Sequence, residues 1–303
     1  MDEKTSAIPE NVSVVIPTLN AGKELDSLLC ALKEQRCPAE EIIVIDSSSE
    51  DSTVDICKKY ENVSLLRIPR ESFDHGRTRD FVLRHCKGEI VVFLTQDAVP
   101  ANAGFLEKLI KPLEDHTTAI SVGRQLPKKN ATKAESLVRS FNYPAESFIR
   151  SKEDISRLGI KAFFCSDSCA AYRKDIYLKL GGFEYPLKSN EDMFFAAKAL
   201  QNGYRIAYAA DAMVYHSHNF TLREQYQRNY IQGYEIERHR ELIGDVSLST
   251  EGIKLVQAVS RQLLTDGAVV SFFSFGLDCC ARWLGNRNGK AAYRRRTRYV
   301  HNR

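Results

Sequence analysis

Three apolar runs break off into polar loops. Val12-Ser-Val-Val-Ile16 gives way to Pro17-Thr18-Leu19-Asn20, Ile42–Ile45 to Asp46-Ser47-Ser48-Ser49, and Ile90–Leu94 to Thr95-Gln96-Asp97. Two of the three exits carry an aspartate. Further along, Asp167 sits between serines in Phe164-Cys-Ser-Asp-Ser-Cys169, Glu191 and Asp192 are adjacent, and His216 and His218 are two apart. Carboxylates and imidazoles exchange protons and hold divalent cations. These residues are therefore candidates for acid–base chemistry and for holding a polar ligand. Each also has a plainer reading: Asp46 as a turn residue, Glu191 and Asp192 as acids favoured at a helix N-terminus, and the histidines as polar side chains with ordinary partners.

The elements that must carry these side chains follow from periodicity. Leu25, Leu28, Leu29 and Leu32 predict a helix within 21–35. Further helices are predicted over 53–60, 76–86, 104–113, 134–150, 174–180 and 190–201, the last capped by Asn190. Strands are predicted over 12–16, 42–45, 63–68, 90–94, 120–123, 162–165, 169–172 and 214–218. Continuous apolar strands alternating with helices imply an α/β fold with a mostly parallel sheet covered on both faces. In such sheets ligands bind beyond the C-terminal ends of the strands, where the three polar loops lie. On a strand over 214–218, His216 and His218 would share one side. Residues 221–242 and 252–284 read as mostly helical.

The motifs resemble glycosyltransferase family 2, an inverting family on the Rossmann-like GT-A fold. The resemblance is carried by Val14-Val-Ile-Pro-Thr-Leu-Asn20, Ile43-Val-Ile-Asp-Ser-Ser48, Gly76-Arg-Thr-Arg-Asp80, Phe93-Leu-Thr-Gln-Asp97, Leu180-Gly-Gly-Phe183, Asn190-Glu-Asp-Met193 and Tyr215-His-Ser-His218, in that order. Phe73-Asp-His-Gly-Arg-Thr-Arg79 and Leu94-Thr-Gln-Asp-Ala98 look like bacterial rhamnosyltransferase-type members that build surface polysaccharides. The resemblance implies transfer of a sugar from a nucleoside diphosphate, dTDP-L-rhamnose or else a UDP-hexose, to a hydroxyl of a glycan or lipid-linked glycan. It implies a nucleotide-sugar site of Pro17, Thr18, Asn20, Asp46, Ser47, Arg79, Gln96 and Asp97, with Asp46 on the base. Asp192, beside Glu191, becomes the catalytic base, and Asp167 an acceptor contact. The implied cofactor is Mg²⁺ or Mn²⁺, held by Asp97 and by His216 in preference to His218. Two departures stand out. Thr95-Gln96-Asp97 keeps one carboxylate where the family commonly has Asp-x-Asp, and Asp80 follows Arg79 where Asn is usual.

Composition sets the limits. The chain has 303 residues and a net charge of +4. No acid follows Asp278, while Lys290, Arg294, Arg295, Arg296, Arg298 and Arg303 are all positive, so the rest is slightly acidic. A local basic tail points to one anionic partner and away from nucleic acid. The eight cysteines include no C-x-x-C pair, and the polar start over 1–11 is not read as a targeting segment. The expected location is the cytoplasm, with peripheral attachment to the inner membrane face as an option. The longest uncharged apolar stretch, Gly267 to Leu277, is far short of the roughly 20 residues that cross a bilayer. The C-terminal segment is thus either a hairpin packed on the core or an interfacial element with its basic tail on anionic lipid. The expected division is a catalytic domain over 1–220, with halves at about 10–125 and 126–220, and a helical appendage over 221–303. Two rivals are a sugar-phosphate nucleotidyltransferase, which lacks its Gly-rich loop here, and a degenerate nucleotide-sugar-binding scaffold.

Overall fold

Strand residues alternate between two faces, and here both faces are apolar. The computed structural model describes residues 11–244 and 249–301; residues 1–10, the start of the chain read above as polar, and the last two residues of the basic tail lie outside them. The first half runs β1 (Val12–Thr18), α1 (Leu25–Lys33), β2 (Glu41–Asp46), α2 (Thr53–Cys57), β3 (Val63–Arg67), α3 (His75–His85), β4 (Ile90–Leu94), β5 (Val99–Pro100), α4 (Phe105–Ile110) and β6 (Thr118–Leu126). Val14, Ile16, Val44, Val92 and Leu94 pack with Leu25, Leu28, Leu29, Leu32, Phe105 and Leu109 on one side of the sheet. Val15, Ile45, Val91 and Phe93 pack on the other with Val82, Leu83, Tyr172, Tyr177, Phe183 and Phe195. Period-two alternation thus feeds two cores, which is why these strands read as unbroken apolar runs.

The chain continues with α5 (Lys133–Asn142), β7 (Phe148–Arg150), α6 (Ile155–Leu158), β8 (Cys169–Arg173), α7 (Lys174–Lys179), α8 (Glu191–Gln201), β9 (Arg205–Tyr215), α9 (Leu222–Arg238), α10 (Arg240–Ile243), α11 (Ser249–Thr265) and α12 (Val269–His301). Among the described residues the sheet order is β3-β2-β1-β4-β8-β6-β9-β5, with β7 on β9. The β3-β2-β1-β4 half is parallel. The other half is mixed, because β8 runs antiparallel to both β4 and β6, and β5 and β7 run antiparallel to β9.

Several local expectations need correcting. The helix expected over 134–150 ends at Asn142, and Phe148–Arg150 pairs with β9 as a strand. Pro144 breaks the helix, since proline disfavours helical geometry in the residue before it. Residues 162–165 are not a strand: Gly159–Phe163 is a 3-10 turn, and the carbonyls of Lys161, Ala162 and the following Phe164 all accept from Arg150 Nη1. Strand β9 ends at Tyr215, so His216 and His218 lie in the loop beyond it. Asn190 precedes α8 but does not cap it through its side chain; it adopts the left-handed conformation, φ 71°.

The C-terminal helices pack on the molecule closely. An added β-carbon at Gly285 or Gly289 would run into the α9 backbone at Tyr226 or Tyr230, and one at Gly233 into α12 at Asn286. From Gly285–Tyr226 through Gly289–Tyr230 to Arg294–Glu237 the contacts advance along both helices together, so α9 and α12 run in the same direction. The described part of the basic tail belongs to α12, where Arg294 pairs with Glu237 at 2.7 and 3.0 Å and Arg296 donates to Tyr234 Oη.

Candidate active site

The loops at the C-terminal ends of β1, β2 and β4 open into one cleft of about 1530 Å³, which the loop after β9 and helices α5, α8, α9 and α12 complete. Two clusters of ionisable side chains meet in it.

The first is built on Asp97. Its Oδ1 lies 3.4 Å from His216 Nε2 and its Oδ2 3.6 Å from His218 Nε2. The two imidazole Nε2 atoms are 3.0 Å apart. Lys128 donates to Asp97 Oδ2 at 2.8 Å. Burial disfavours the Asp97 charge, but the contacts with His216 and Lys128 outweigh it and hold the carboxyl well below its usual range. Burial, His216 and nearby cations push His218 down to about 4, against the pull of Asp97. His216 Nδ1 donates to Gln125 Oε1 at 2.8 Å. That bond engages Nδ1 and turns Nε2 toward Asp97, the arrangement in which an outer partner orients a metal-ligating histidine. The ligand atoms of Asp97, His216 and His218 lie within 4.8 Å of one another, so one ion can reach all three. A carboxylate with two imidazoles fits a divalent transition ion, Mn²⁺ better than the oxygen-preferring Mg²⁺.

The second cluster gathers Arg79, Asp167, Glu191 and Asp192. Helix α3 starts at Asp74, whose carboxylate accepts from the Arg77 N–H and, across the fold, from the Leu187 N–H. Arg79 lies one turn in and is buried, not on a solvated face. Its Nη1 is 3.1 Å from Glu191 and its Nε 3.3 Å from Asp167. One arginine faces three carboxylates. Burial, together with Glu191 and against Arg79, pushes the Asp167 carboxyl up to about 7, although Tyr172 donates to it at 2.5 Å. Burial, then Glu191 and Asp167, raise Asp192 well above the ordinary aspartate. Asp192 lines the cleft and accepts from the Asp167 N–H at 3.1 Å and the Met193 N–H at 2.7 Å. A carboxylate of raised proton affinity beside an open cleft is suited to general-base work.

The remaining sequence candidates divide between cleft and support. Pro17, Thr18 and Ser47 line the cleft. Asp46 is fully buried behind it, accepting from the Ser49 N–H at 3.0 Å and pairing with Arg67 at 3.5 Å. Gln96 clamps the β1 loop, its amide accepting from the Leu19 N–H and donating to the Leu19 carbonyl. Asn20, φ 51°, ties that loop to the next by accepting from the Glu50 N–H. The acid that departs from the family pattern, Asp80, is structural: it takes hydrogen bonds from Arg84 and Tyr177 Oη, and an added β-carbon at Gly182 would collide with it.

Sequence reasoning missed Lys128, Gln125, His75, Arg139, Arg228 and Arg282, all of which line the cleft or orient a residue that does. For the α9 members a signal existed: Gln225, Arg228, Asn229 and Gln232 recur at helical spacing as one polar face. Among the described residues, Thr95 Oγ1 and Asn190 Nδ2, on residues lining the cleft, are buried without a hydrogen-bond partner, while Arg79 Nε and Asp167 Oδ2 face only each other, at 3.3 Å. Buried polar atoms are seldom left unpaired, so Thr95 Oγ1 and Asn190 Nδ2 are available to a ligand in the cleft.

The family model described as Glycosyl transferase family 2 matches residues 13–181. The O-antigen chain rhamnosyltransferase RfbN of Salmonella typhimurium is 42% identical over 223 residues, 73% of this chain and 71% of that protein. The O-antigen chain rhamnosyltransferase WbaN of Salmonella anatum is 42% identical over 73% of this chain and 70% of its own length. Among solved structures, the mannosyltransferase PcManGT from Pyrobaculum calidifontis, in complex with GDP-Man and Mn²⁺, superimposes with a TM-score of 0.62 at 18% identity, covering 91% of this chain and 86% of that one. Staphylococcus aureus TarS 1-349 gives 0.53 at 21% identity, covering 94% and 91%. These likenesses establish the mixed sheet flanked by helices as a GT-A-like fold. The relatives favour neither the nucleotidyltransferase nor the degenerate scaffold.

Proposed function

This chain belongs to glycosyl transferase family 2 and is a glycosyltransferase, and from that premise we propose that it transfers L-rhamnose from dTDP-rhamnose to a hydroxyl of a growing, lipid-linked surface glycan. The choice of sugar rests on the two O-antigen rhamnosyltransferases it resembles. The single observation that carries the mechanism is the meeting in one cleft of the Asp97–His216–His218 group and the Asp192 carboxylate cluster.

The reaction is one displacement with inversion. Asp192 takes the proton of the acceptor hydroxyl, whose oxygen bonds to C1 of the sugar as the bond from C1 to the diphosphate breaks. Arg79, held between Glu191 and Asp167, keeps the cluster from collecting protons on every carboxylate and so keeps a base available. Pro17, Thr18 and Ser47 form the nucleotide side, with Asp46, Asn20 and Gln96 fixing its loops. Asp97, His216 and His218 hold the divalent ion, Mn²⁺ by their donor chemistry. When bound, that ion neutralises charge on the departing diphosphate. The catalytic domain over 1–220, with its nucleotide and acceptor halves, borrows a wall from the segment over 221–303.

The same reading places the protein at a membrane surface. No helix among the described residues is long and apolar enough to cross a membrane. Yet α12 exposes Val270 (82%), Phe273 (65%), Leu277 (58%) and Leu284 (43%) along one stripe, with Arg287 and Arg295 also exposed. Apolar side chains beside cations match the interface of an anionic bilayer.

The test is Asp192→Asn. Transfer should fall by about 10²–10⁴-fold, the usual worth of a general base, while affinity for dTDP-rhamnose is kept. Near-normal turnover in this variant would remove Asp192 from the base role. Failure of the wild type to bind any nucleotide-sugar would remove the whole reading.

A further inference from the structure

Gln125 stands on β6, in the mixed half of the sheet, and is only 2% exposed. Its amide reaches toward both clusters of the cleft. Oε1 is 2.5 Å from Arg139 Nη1 and 2.8 Å from His216 Nδ1, and Nε2 is 3.1 Å from Ser166 Oγ. An arginine can only donate, so the amide atom it meets is the oxygen. The same oxygen then accepts from His216, which places the proton of that ring on Nδ1. A cation can be bound only through the other ring nitrogen, Nε2, and that is the atom turned toward Asp97, 3.4 Å away.

The partners of this amide are themselves held. Arg139 donates through Nε and Nη2 to Glu135, one turn back on α5, and its guanidinium lies 5.5 Å from the Tyr143 ring centroid. The His216 N–H donates to the carbonyl of Leu126, the residue after Gln125. The other end of the amide leads to the base. The Ser166 carbonyl accepts from the Cys169 N–H at 3.0 Å, closing a turn, and within that turn the Asp167 N–H donates to Asp192 at 3.1 Å. A carboxylate in place of Gln125 could accept from Arg139 and His216 but could not donate to Ser166; an apolar side chain could do neither.

We propose that Gln125 is a positioning residue that joins the two clusters: with Arg139 it fixes the His216 tautomer able to bind a cation, and through Ser166 it fixes the turn that ties Asp167 to Asp192. The proposal rests on the glycosyltransferase reading and adds what sets the cation cluster and the base in one frame.

The test uses the full chain. NMR of isotope-labelled histidines, in EDTA at mildly alkaline pH, reads the tautomer; the His216 signals are those missing from His216→Gln. In the wild type that ring should carry its proton on Nδ1. Gln125→Leu should lose this preference and bind Mn²⁺ about 10–100-fold more weakly, the usual cost of removing a partner behind a metal ligand. Gln125→Glu still accepts from both partners but no longer donates. It should keep the tautomer and the Mn²⁺ affinity, while kcat for transfer falls about fivefold at unchanged KM for the donor. Ser166→Ala should behave like Gln125→Glu. A His216 proton on Nε2 in the wild type overturns the tautomer assignment, as does unchanged Mn²⁺ affinity in Gln125→Leu. Normal kcat in Gln125→Glu and Ser166→Ala overturns the link to the base. A wild type that binds no nucleotide-sugar overturns the glycosyltransferase reading, and this inference with it; each of the other outcomes overturns the inference alone.

Discussion

Replacing Asp167 by Asn should stabilise the protein, and by an amount that depends on pH. Asp167 is 3% exposed, and its carboxyl is pushed from the ordinary 3.8 up to about 7 by burial and by Glu191, against Arg79. Between those two values the unfolded chain has released the proton and the folded protein still holds it. The folded state therefore binds more protons, and stability falls as pH rises through this window. At about 1.4 kcal/mol per unit, the loss from this group approaches 4 kcal/mol above pH 7. Asparagine imitates the protonated acid: its carbonyl can face Arg79 and its amide can donate to Tyr172 Oη. The variant should match wild type near pH 4 and exceed it increasingly up to pH 8, with about 4 kcal/mol as the ceiling. Urea unfolding of both proteins at half-unit pH steps measures the difference directly. A gap that stays flat with pH, or that favours wild type as pH rises, would refute the picture of three carboxylates crowded around one arginine.

Other outcomes follow from the same geometry. Asp97→Ala should weaken nucleotide-sugar binding when Mn²⁺ is present and change it little in EDTA; calorimetry in both buffers checks this, and a wild type indifferent to EDTA removes the metal from the site. Phe273→Asp with Leu277→Asp should abolish flotation with anionic liposomes at low salt without lowering the melting temperature, since both side chains are exposed. If the wild-type protein fails to float, the membrane surface is not its partner.

The parallel half of the sheet was legible because its strands are apolar on both faces and its helices have leucines at helical spacing. In the second half the strands over 120–123 and 169–172 were legible but their directions were not, because antiparallel pairing of β8 leaves no mark in a run as short as Cys169–Arg173. The histidines were found for a partly wrong reason: they reach Asp97 from a loop, fixed by the His216 N–H to the Leu126 carbonyl, and not from a strand. Asp46 and Gln96 were picked by position at strand ends; both side chains hold loops, and Gln96 also lines the cleft while Asp46 lies buried behind it. Position in sequence locates the crevice but does not say which polar side chain faces into it. Lys128 was invisible because nothing in Leu126-Pro-Lys-Lys129 distinguishes a lysine that meets Asp97 from one in solvent.

The glycines between α9 and α12 bear on how the cleft opens. Glycine costs about 1 kcal/mol inside a helix, and α12 contains Gly276, Gly285 and Gly289. A helix so weakened depends on the neighbours it touches: α9 along the glycines, and α11 and α5 around Phe275; α9 also carries Arg228 at the cleft. The two helices then form one cooperative unit, protected together against amide exchange and lost together. Opening this unit would dismantle the acceptor wall in a single event while the parallel sheet, and the nucleotide loops at its edge, stayed folded. On the proposed reading, the loops that would meet the donor do not depend on this helix contact, and the wall that would meet the acceptor does.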